Sequence, residues 1–109
     1  MAYDRELANR IREQLSGEKG VVEKAMFGGL AFLINGNMAV AASGQGGLMV
    51  RSDPEDLAVL DEPGVSLMEM RGREMKGWLR VAADAVDGDD AMARWVGHGV
   101  NYAKTLPPK

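Results

Sequence analysis

The 109-residue chain contains no cysteine and one histidine, and these two shortages exclude several kinds of chemistry. Without cysteine there are no disulfides, no thiolate metal sites and no cysteine nucleophile. A single histidine excludes metal sites that need two histidines from one chain. We therefore predict neither a metal site nor a cofactor.

Basic residues are too few for a protein that binds nucleic acid with its whole surface. The chain has 13 Lys and Arg against 16 Asp and Glu, so only a local basic patch is open to that role. Its apolar stretches are far shorter than the ~20 residues of a membrane-spanning helix. The first ten residues, MAYDRELANR, open with charges and lack the apolar core of a signal peptide. We expect a soluble cytoplasmic protein that folds as one domain over residues 1–109.

The spacing of apolar residues predicts helices at both ends of the chain. Within residues 4–15, Leu7, Ile11 and Leu15 recur every four residues, and Asp4 is placed to cap the first turn. A short second helix is predicted to begin after Asp53 and to end near residues 63–64. The last helix is predicted to follow residues 84–90 and to end near residue 105. One face of it carries Met92, Trp95, Val96, Gly99, Val100 and Ala103.

Between the helices, short extended runs alternate with glycine-rich turns. Four strands are predicted at residues 21–27, 30–34, 38–42 and 48–52, and the Asn35-Gly36 turn is a strong hairpin signal. Two more strands, at residues 65–71 and 77–83, are joined by the tight segment of residues 72–76. Together these elements predict a two-layer α+β domain, with an antiparallel sheet and helices on one face.

The second face of this sheet is predicted to be apolar. By strand alternation, one side receives Leu30, Phe32, Ile34, Met38, Val40 and Ala42. The other side receives Ala31, Leu33, Ala39, Ala41 and Met49, where a solvated face would carry polar groups. Two interpretations stay open: a partner covers this face, most simply a second copy in a homodimer, or the domain's own loops shield it.

A basic cluster forms the candidate interaction patch. It consists of Arg71, Arg73, Lys76 and Arg80 around Trp78. Arginines beside an aromatic ring are suited to gripping phosphates and stacking on a base. The alternative is a charged hairpin tip with a tryptophan half-buried in the core.

Three other features are interpreted as structural. Gly28 and Gly29 lack the helix and the lysine-serine pair of a phosphate loop, so they predict a bend between strands. The acids Asp84, Asp87, Asp89 and Asp90 lack the spacing of a calcium loop and suit a helix start. His98 has no nucleophile that the sequence pairs with it, so we expect a surface or boundary histidine and predict no catalytic residue.

Two segments are more specific than the features above: MFGGLAFLINGNMAV at residues 26–40 and RGREMKGWLRV at residues 71–81. With Arg94-Trp95-Val96 and the ending LPPK, they resemble the N-terminal domain of the TfoX/Sxy family over residues 3–109. The resemblance implies an α-β(3)-α-β(2)-α domain of the secretion-chaperone-like kind. It also implies a link to regulators of natural competence genes, which act with a cyclic-AMP-responsive activator and carry a second domain. The expectation is therefore a stand-alone N-terminal domain, for which the family supplies no catalytic or binding residues.

From the residues and the resemblance together, we predict a non-enzymatic regulatory or interaction domain. It would act through protein–protein contacts with an unidentified partner, in transcriptional or competence regulation. The alternative prediction is a weak nucleic-acid-binding module that uses the basic hairpin from Arg71 to Arg80.

Overall fold

The computed structural model describes residues 4–26, 28–44 and 46–108 of the chain. Two α-helices, α1 at Arg5–Gln14 and α2 at Asp89–Lys104, flank the strands. The strands are β1 Val21–Met26, β2 Gly29–Ile34, β3 Asn37–Ala42, β4 Leu48–Arg51, β5 Val65–Met70 and β6 Arg73–Val81. Within these residues, neither helix combines the length and apolar character that crossing a membrane requires.

All six strands form one antiparallel sheet in the order β1-β2-β3-β4-β6-β5. The two helices and one face of this sheet share a single hydrophobic core. The predicted α+β class, with helices on one face, is confirmed. The β2–β3 hairpin closes at Asn35 and Gly36, whose φ angles of 52° and 85° are those of the tight turn that Asn-Gly favours.

Both predicted terminal helices are present, with the buried stripes that their spacing indicates. The carboxylate of Asp4 accepts hydrogen bonds from the backbone N–H groups of Glu6 at 2.9 Å and Leu7 at 3.3 Å, which confirms the N-cap. Ile11 on α1 is fully buried, and Trp95 on α2 is 3% exposed. Burial of this apolar stripe supplies most of the stability of such short helices.

The predicted second helix is wrong in type. Residues 54–55 form a turn, followed only by a 3-10 helix at Ala58–Asp61. The carboxylate of Asp53 does accept a hydrogen bond from the backbone N–H of Glu55 at 2.9 Å, as an N-cap residue would. However, Leu57 is 65% exposed while Val59 is buried, so this segment has no apolar stripe to offset the cost of helix nucleation. The number of strands before this 3-10 helix also differs from the α-β(3)-α-β(2)-α pattern. That pattern has three, whereas the structure has four, because residues 21–26 form a strand as well.

A bulge in β3 changes which residues face the helices. Phe32 pairs with Val40, but the next residue of β2, Leu33, pairs with Met38, so Ala39 is an extra residue in β3. Ala39 therefore lies on the helix side and Met38 on the opposite side, which reverses the predicted placement of these two residues. Strict alternation fails here because one extra residue shifts the phase by one position.

The bulge is also the point where α2 approaches the sheet most closely. A Cβ added at Gly99 would lie 2.2 Å from the carbonyl oxygen of Ala39, a distance that no side chain tolerates. Gly97, two residues earlier in the same helix, has nothing within 4 Å of such an atom. Of these two helix glycines, Gly99 is the one that packing requires.

We expect Gly99→Ala to lower the free energy of unfolding by about 2 kcal/mol or more, since the added methyl group pushes α2 off the sheet. The matched variant Gly97→Ala should raise it by about 0.5–1 kcal/mol, because alanine favours the helix. Urea unfolding measures both changes. Equal effects of the two substitutions would contradict the close packing of α2 at Ala39.

Candidate functional site: the open face of the sheet

The face of the sheet opposite the helices, called the open face from here on, has its own apolar cluster. Its buried members are Ala31, Met38, Ala41, Met49 and Met68, and the half-buried Met26, Leu33 and Trp78 pack against them. Val22 pairs with Leu33 on the edge strand β1 and is 57% exposed. Part of the face is thus shielded by its own side chains, while a strip of apolar surface stays accessible.

Among the described strand residues, the charged side chains of the open face all have one sign. By strand register, its charged members are Lys24, Arg51, Arg73 and Arg80, which pair with Ala31, Trp78, Met70 and Met49. The acids of the described strands, Glu23, Glu69 and Glu74, fall on the helix side. An acidic chain therefore presents a local surface that is apolar and basic.

The structure places the predicted basic patch on the β5–β6 hairpin but does not bring all of it together. Arg73, Trp78 and Arg80 share the open face, whereas Arg71 occupies the turn with a φ of 56°. Lys76 is exposed in an irregular stretch, where Met68 pairs with Met75 but Leu67 pairs with Leu79.

The predicted connection between these two strands is wrong. Residues 73–76 belong to β6, and the turn is the two-residue pair Arg71-Gly72. Both residues have positive φ, which is the geometry of a two-residue hairpin, although arginine is an unusual residue for it. The sequence does not predict this turn, because a single glycine at position 72 does not show whether the residue before it or after it is the second turn residue.

Arg51, at the end of β4, is the residue of the open face that sequence reasoning missed. Its guanidinium lies 4.5 Å from the ring centre of Trp78 and 5.4 Å from that of Tyr102 on α2. Such cation–π contacts hold a planar guanidinium in place. The strand run LMVR contains no sign of this arrangement, because it arises from the pairing of β4 with β6.

The bulge in β6 that presents Trp78 depends on Gly77. Gly77 has a φ of 85°, and its carbonyl oxygen accepts a hydrogen bond from the N–H of Ser52 at 2.8 Å. A Cβ there would lie 3.1 Å from Pro54 and 3.3 Å from Nη1 of Arg51. Glycine is suited to this position because it adopts the positive φ angle and leaves the space that the Arg51–Trp78 contact needs.

A concavity of about 240 Å³ opens between Arg51 and the end of the sheet. Its walls are mainly apolar and include Met26, Leu33, Met38, Met49, Met75, Trp78 and Leu106. Leu106 comes from the segment after α2, which is held by a hydrogen bond from Nδ2 of Asn37 to the carbonyl oxygen of Pro107 at 2.9 Å. The site therefore combines one cation with an apolar cleft.

His98 lies on α2 and has a partner that the sequence did not indicate. Its Nε2 is 2.9 Å from Oγ of Ser52, and its ring meets Trp95 edge-on with centres 5.5 Å apart. Ser52 is 1% exposed, so its hydroxyl is closed to substrates. This pair ties α2 to the chain after β4, which agrees with the boundary role expected for His98.

The remaining sequence features also have structural roles. Gly28 and Gly29 lie at the β1–β2 connection, while Phe27, the end of the predicted first strand, lies outside the described residues. Asp89 and Asp90 occupy the first turn of α2, whose N-cap is Gly88 and has no side-chain capping bond. In the described part of the chain, no group of three or more His, Asp or Glu side chains is placed to hold a metal ion.

Comparison with known proteins identifies the class of this domain. A family model described as the TfoX N-terminal domain matches residues 13–103. The chain therefore belongs to the TfoX N-terminal domain family, as the two motif segments predict. Neither a curated protein nor a solved structure gives a significant match.

The Ser52–His98 pair generates a pH-dependent prediction. Burial lowers the pKa of His98 from its ordinary value of 6.5, Arg94 adds to the shift, and the carboxylates of Asp56 and Glu62 oppose it. Because the folded state binds the proton less tightly than the unfolded state, the free energy of unfolding should fall as pH drops through about 6.5. His98→Gln should remove this loss, measured by urea unfolding between pH 7.5 and roughly 5.

The control for this measurement is Glu23→Gln. The hydrogen bond from Arg12 lowers the pKa of Glu23 below its ordinary value of 4.5, and Glu23 is not among the groups that shift the pKa of His98. Its stabilising effect is therefore present above that value and is lost only at lower pH. The free energy of unfolding of His98→Gln could instead depend on pH between 7.5 and 5 as that of the natural chain does. In that case, burial of a neutral His98 is not the source of the dependence.

Proposed function

We propose that this chain is a non-enzymatic interaction domain that serves transcriptional or competence regulation through protein contacts made by its open face. The observation that carries the proposal is the asymmetry of the sheet. Both helices pack on one face, whereas the apolar cluster of the other face contains no helix residue in the described part of the chain. Membership in the TfoX N-terminal domain family supports the regulatory setting.

The partner that we propose for the open face is a second copy of the chain. In a two-fold symmetric contact the same patch meets itself, so the apolar strip of Val22, Met26, Leu33 and Trp78 would cover its own counterpart. Val22 stands on the edge strand β1 and, among the described side chains of this face, is the most exposed large apolar one. Burying such side chains is the main driving force of association.

The like charges of the open face oppose this dimer and make it sensitive to salt. Two stacked copies would bring the bases of one copy near those of the other, including Arg51 and Arg80. Salt screens repulsion between exposed charges over about 10 Å at 0.1 M. We therefore propose a dimer that becomes tighter as the salt concentration rises.

Light scattering at micromolar concentration should give about twice the 11.7 kDa of one chain. Val22→Lys should shift the equilibrium toward monomer, because it places a charge in the proposed contact. The matched control is Leu57→Lys, since Leu57 is 65% exposed but lies between β4 and β5 and outside the open face. A monomer at all salt concentrations, or equal effects of the two variants, would refute the dimer.

A second candidate function is weak nucleic-acid binding, which the single-sign charge of the open face favours. Lys24, Arg51, Arg73 and Arg80 lie on that face, with Arg71 at the hairpin tip. Phosphate contacts by such side chains do not require a particular base sequence. Arg51 covers one face of the Trp78 ring at 4.5 Å, so a base cannot stack on that face while the contact holds.

A gel-shift titration tests this second candidate. If it holds, binding to single-stranded DNA or RNA should weaken steeply with salt, opposite to the dimer. Arg73→Gln should weaken it, whereas Arg5→Gln on α1 should not, because Arg5 lies away from the open face. The candidate fails if no DNA or RNA is bound at low salt.

A further inference from the structure

We propose that the concavity beside Arg51 is a binding site for a small carboxylate with an apolar body. The site is built within one chain, so the proposal goes beyond the interaction function and does not depend on a dimer. It rests on three observations: an arginine with no acidic partner among the described residues, an apolar cleft of limited size, and supports that hold both in place.

Arg51 differs from the other arginines whose ion pairs the structure shows. Arg10, Arg12 and Arg94 are paired with Asp89, Glu23 and Glu62, respectively. Arg51 is half-buried, and among the described residues no carboxylate lies within ion-pair distance of its guanidinium. Its guanidinium lies over the rings of Trp78 and Tyr102. A planar guanidinium with unused donors is suited to bind a carboxylate through two parallel hydrogen bonds.

The walls beside Arg51 determine the rest of the ligand. Side chains of Met26, Met49 and Met75 line the cleft together with Leu33 and Leu106. Methionines adapt to irregular apolar shapes because their side chains are unbranched and polarisable. The volume of about 240 Å³ lies below the ~300–1,000 Å³ of sites for drug-sized molecules, which indicates a small ligand.

The supports of the site are already in place in a single chain. Two aromatic rings hold the guanidinium, and Gly77 leaves room for its Nη1. The bond from Asn37 to Pro107 at 2.9 Å holds the segment that brings Leu106 to the cleft. Because these groups are already held in place, little conformational entropy of the site is lost when a ligand binds.

The sign of the surrounding charge favours an anion over other occupants. Lys24, Arg73 and Arg80 share the open face with Arg51, and the acids of the described strands lie on the helix side. A second copy would present the same bases to Arg51, whereas a carboxylate complements them. The size of the cleft favours a small molecule over a folded acidic partner.

Octanoate, below its micelle concentration, is the probe, and octanol is the uncharged control of equal chain length. The two tryptophans give separate NMR signals for the site and the core, since Trp78 lines the cleft and Trp95 is 3% exposed in the helix-side core. Octanoate should shift the Trp78 indole N–H resonance saturably and leave that of Trp95 unchanged. Octanol should bind at least about tenfold more weakly, since it lacks the charged hydrogen bonds.

Arg51→Met tests the role of the cation while keeping the cleft apolar. This variant should lose the preference for octanoate over octanol, and an unchanged Trp95 resonance should confirm that it is folded. The control Arg71→Gln changes a base at the hairpin tip outside the cleft and should bind octanoate as the natural chain does.

The proposal is overturned if octanoate at millimolar concentration leaves the Trp78 resonance in place, or if Arg51→Met prefers octanoate as strongly as the natural chain. It is also overturned if octanol binds as tightly as octanoate, which would indicate an apolar patch without a carboxylate site. Light scattering with and without octanoate measures the oligomeric state independently of ligand binding. Failure of the carboxylate site can therefore be told apart from failure of the dimer.

Discussion

The contact between the backbone of α2 and the bulge of β3 is the constraint on which the rest of the structure depends. Gly99 places the helix directly against the carbonyl oxygen of Ala39, and α2 packs mainly on β3 and β4. This close approach brings Trp95 and Met92 into the helix-side core, where they are 3% and 1% exposed. Dense packing of this kind leaves little room for a change in the angle or depth of the helix.

The same bulge determines what the open face contains. Because Ala39 is an extra residue in β3, Met38 turns away from the helices and joins the cluster of Ala31, Ala41 and Met49. On β6 a second irregularity at Gly77 brings Trp78 into register with Arg51. The open face thus owes Met38 and its stacked arginine to departures from regular strand alternation.

Much of the fold follows from local patterns. The four-residue spacing of α1, its Asp4 cap and the Asn35-Gly36 turn act over a few residues, so they are readable in order along the chain. The segment after Asp53 shows the limit of such patterns. It has the signals of a helix start, but its apolar residues do not form a stripe that packing can bury, and a 3-10 helix results.

The candidate site was only partly predictable. The basic residues around Trp78 are evident in the sequence, but their grouping is not, since Arg71 and Lys76 separate from Arg73 and Arg80 at the turn and the irregular stretch of β6. Arg51 was missed because it lies 27 positions before Trp78 in the chain and is adjacent to it only through strand pairing. His98 likewise meets Ser52 across 46 positions.

By itself, the sequence determined the α+β class, the two terminal helices, the β2–β3 hairpin, the family and the absence of any cysteine chemistry, because each depends on composition or on neighbours along the chain. Tertiary structure alone decided that Met38 rather than Ala39 lies on the open face and that Arg51 stacks on Trp78 there. The reason is that a single extra residue in a strand reverses the faces beyond it, and such a bulge forms where long-range packing favours it. The Arg51 cleft exists only once α2, β4 and β6 have come together.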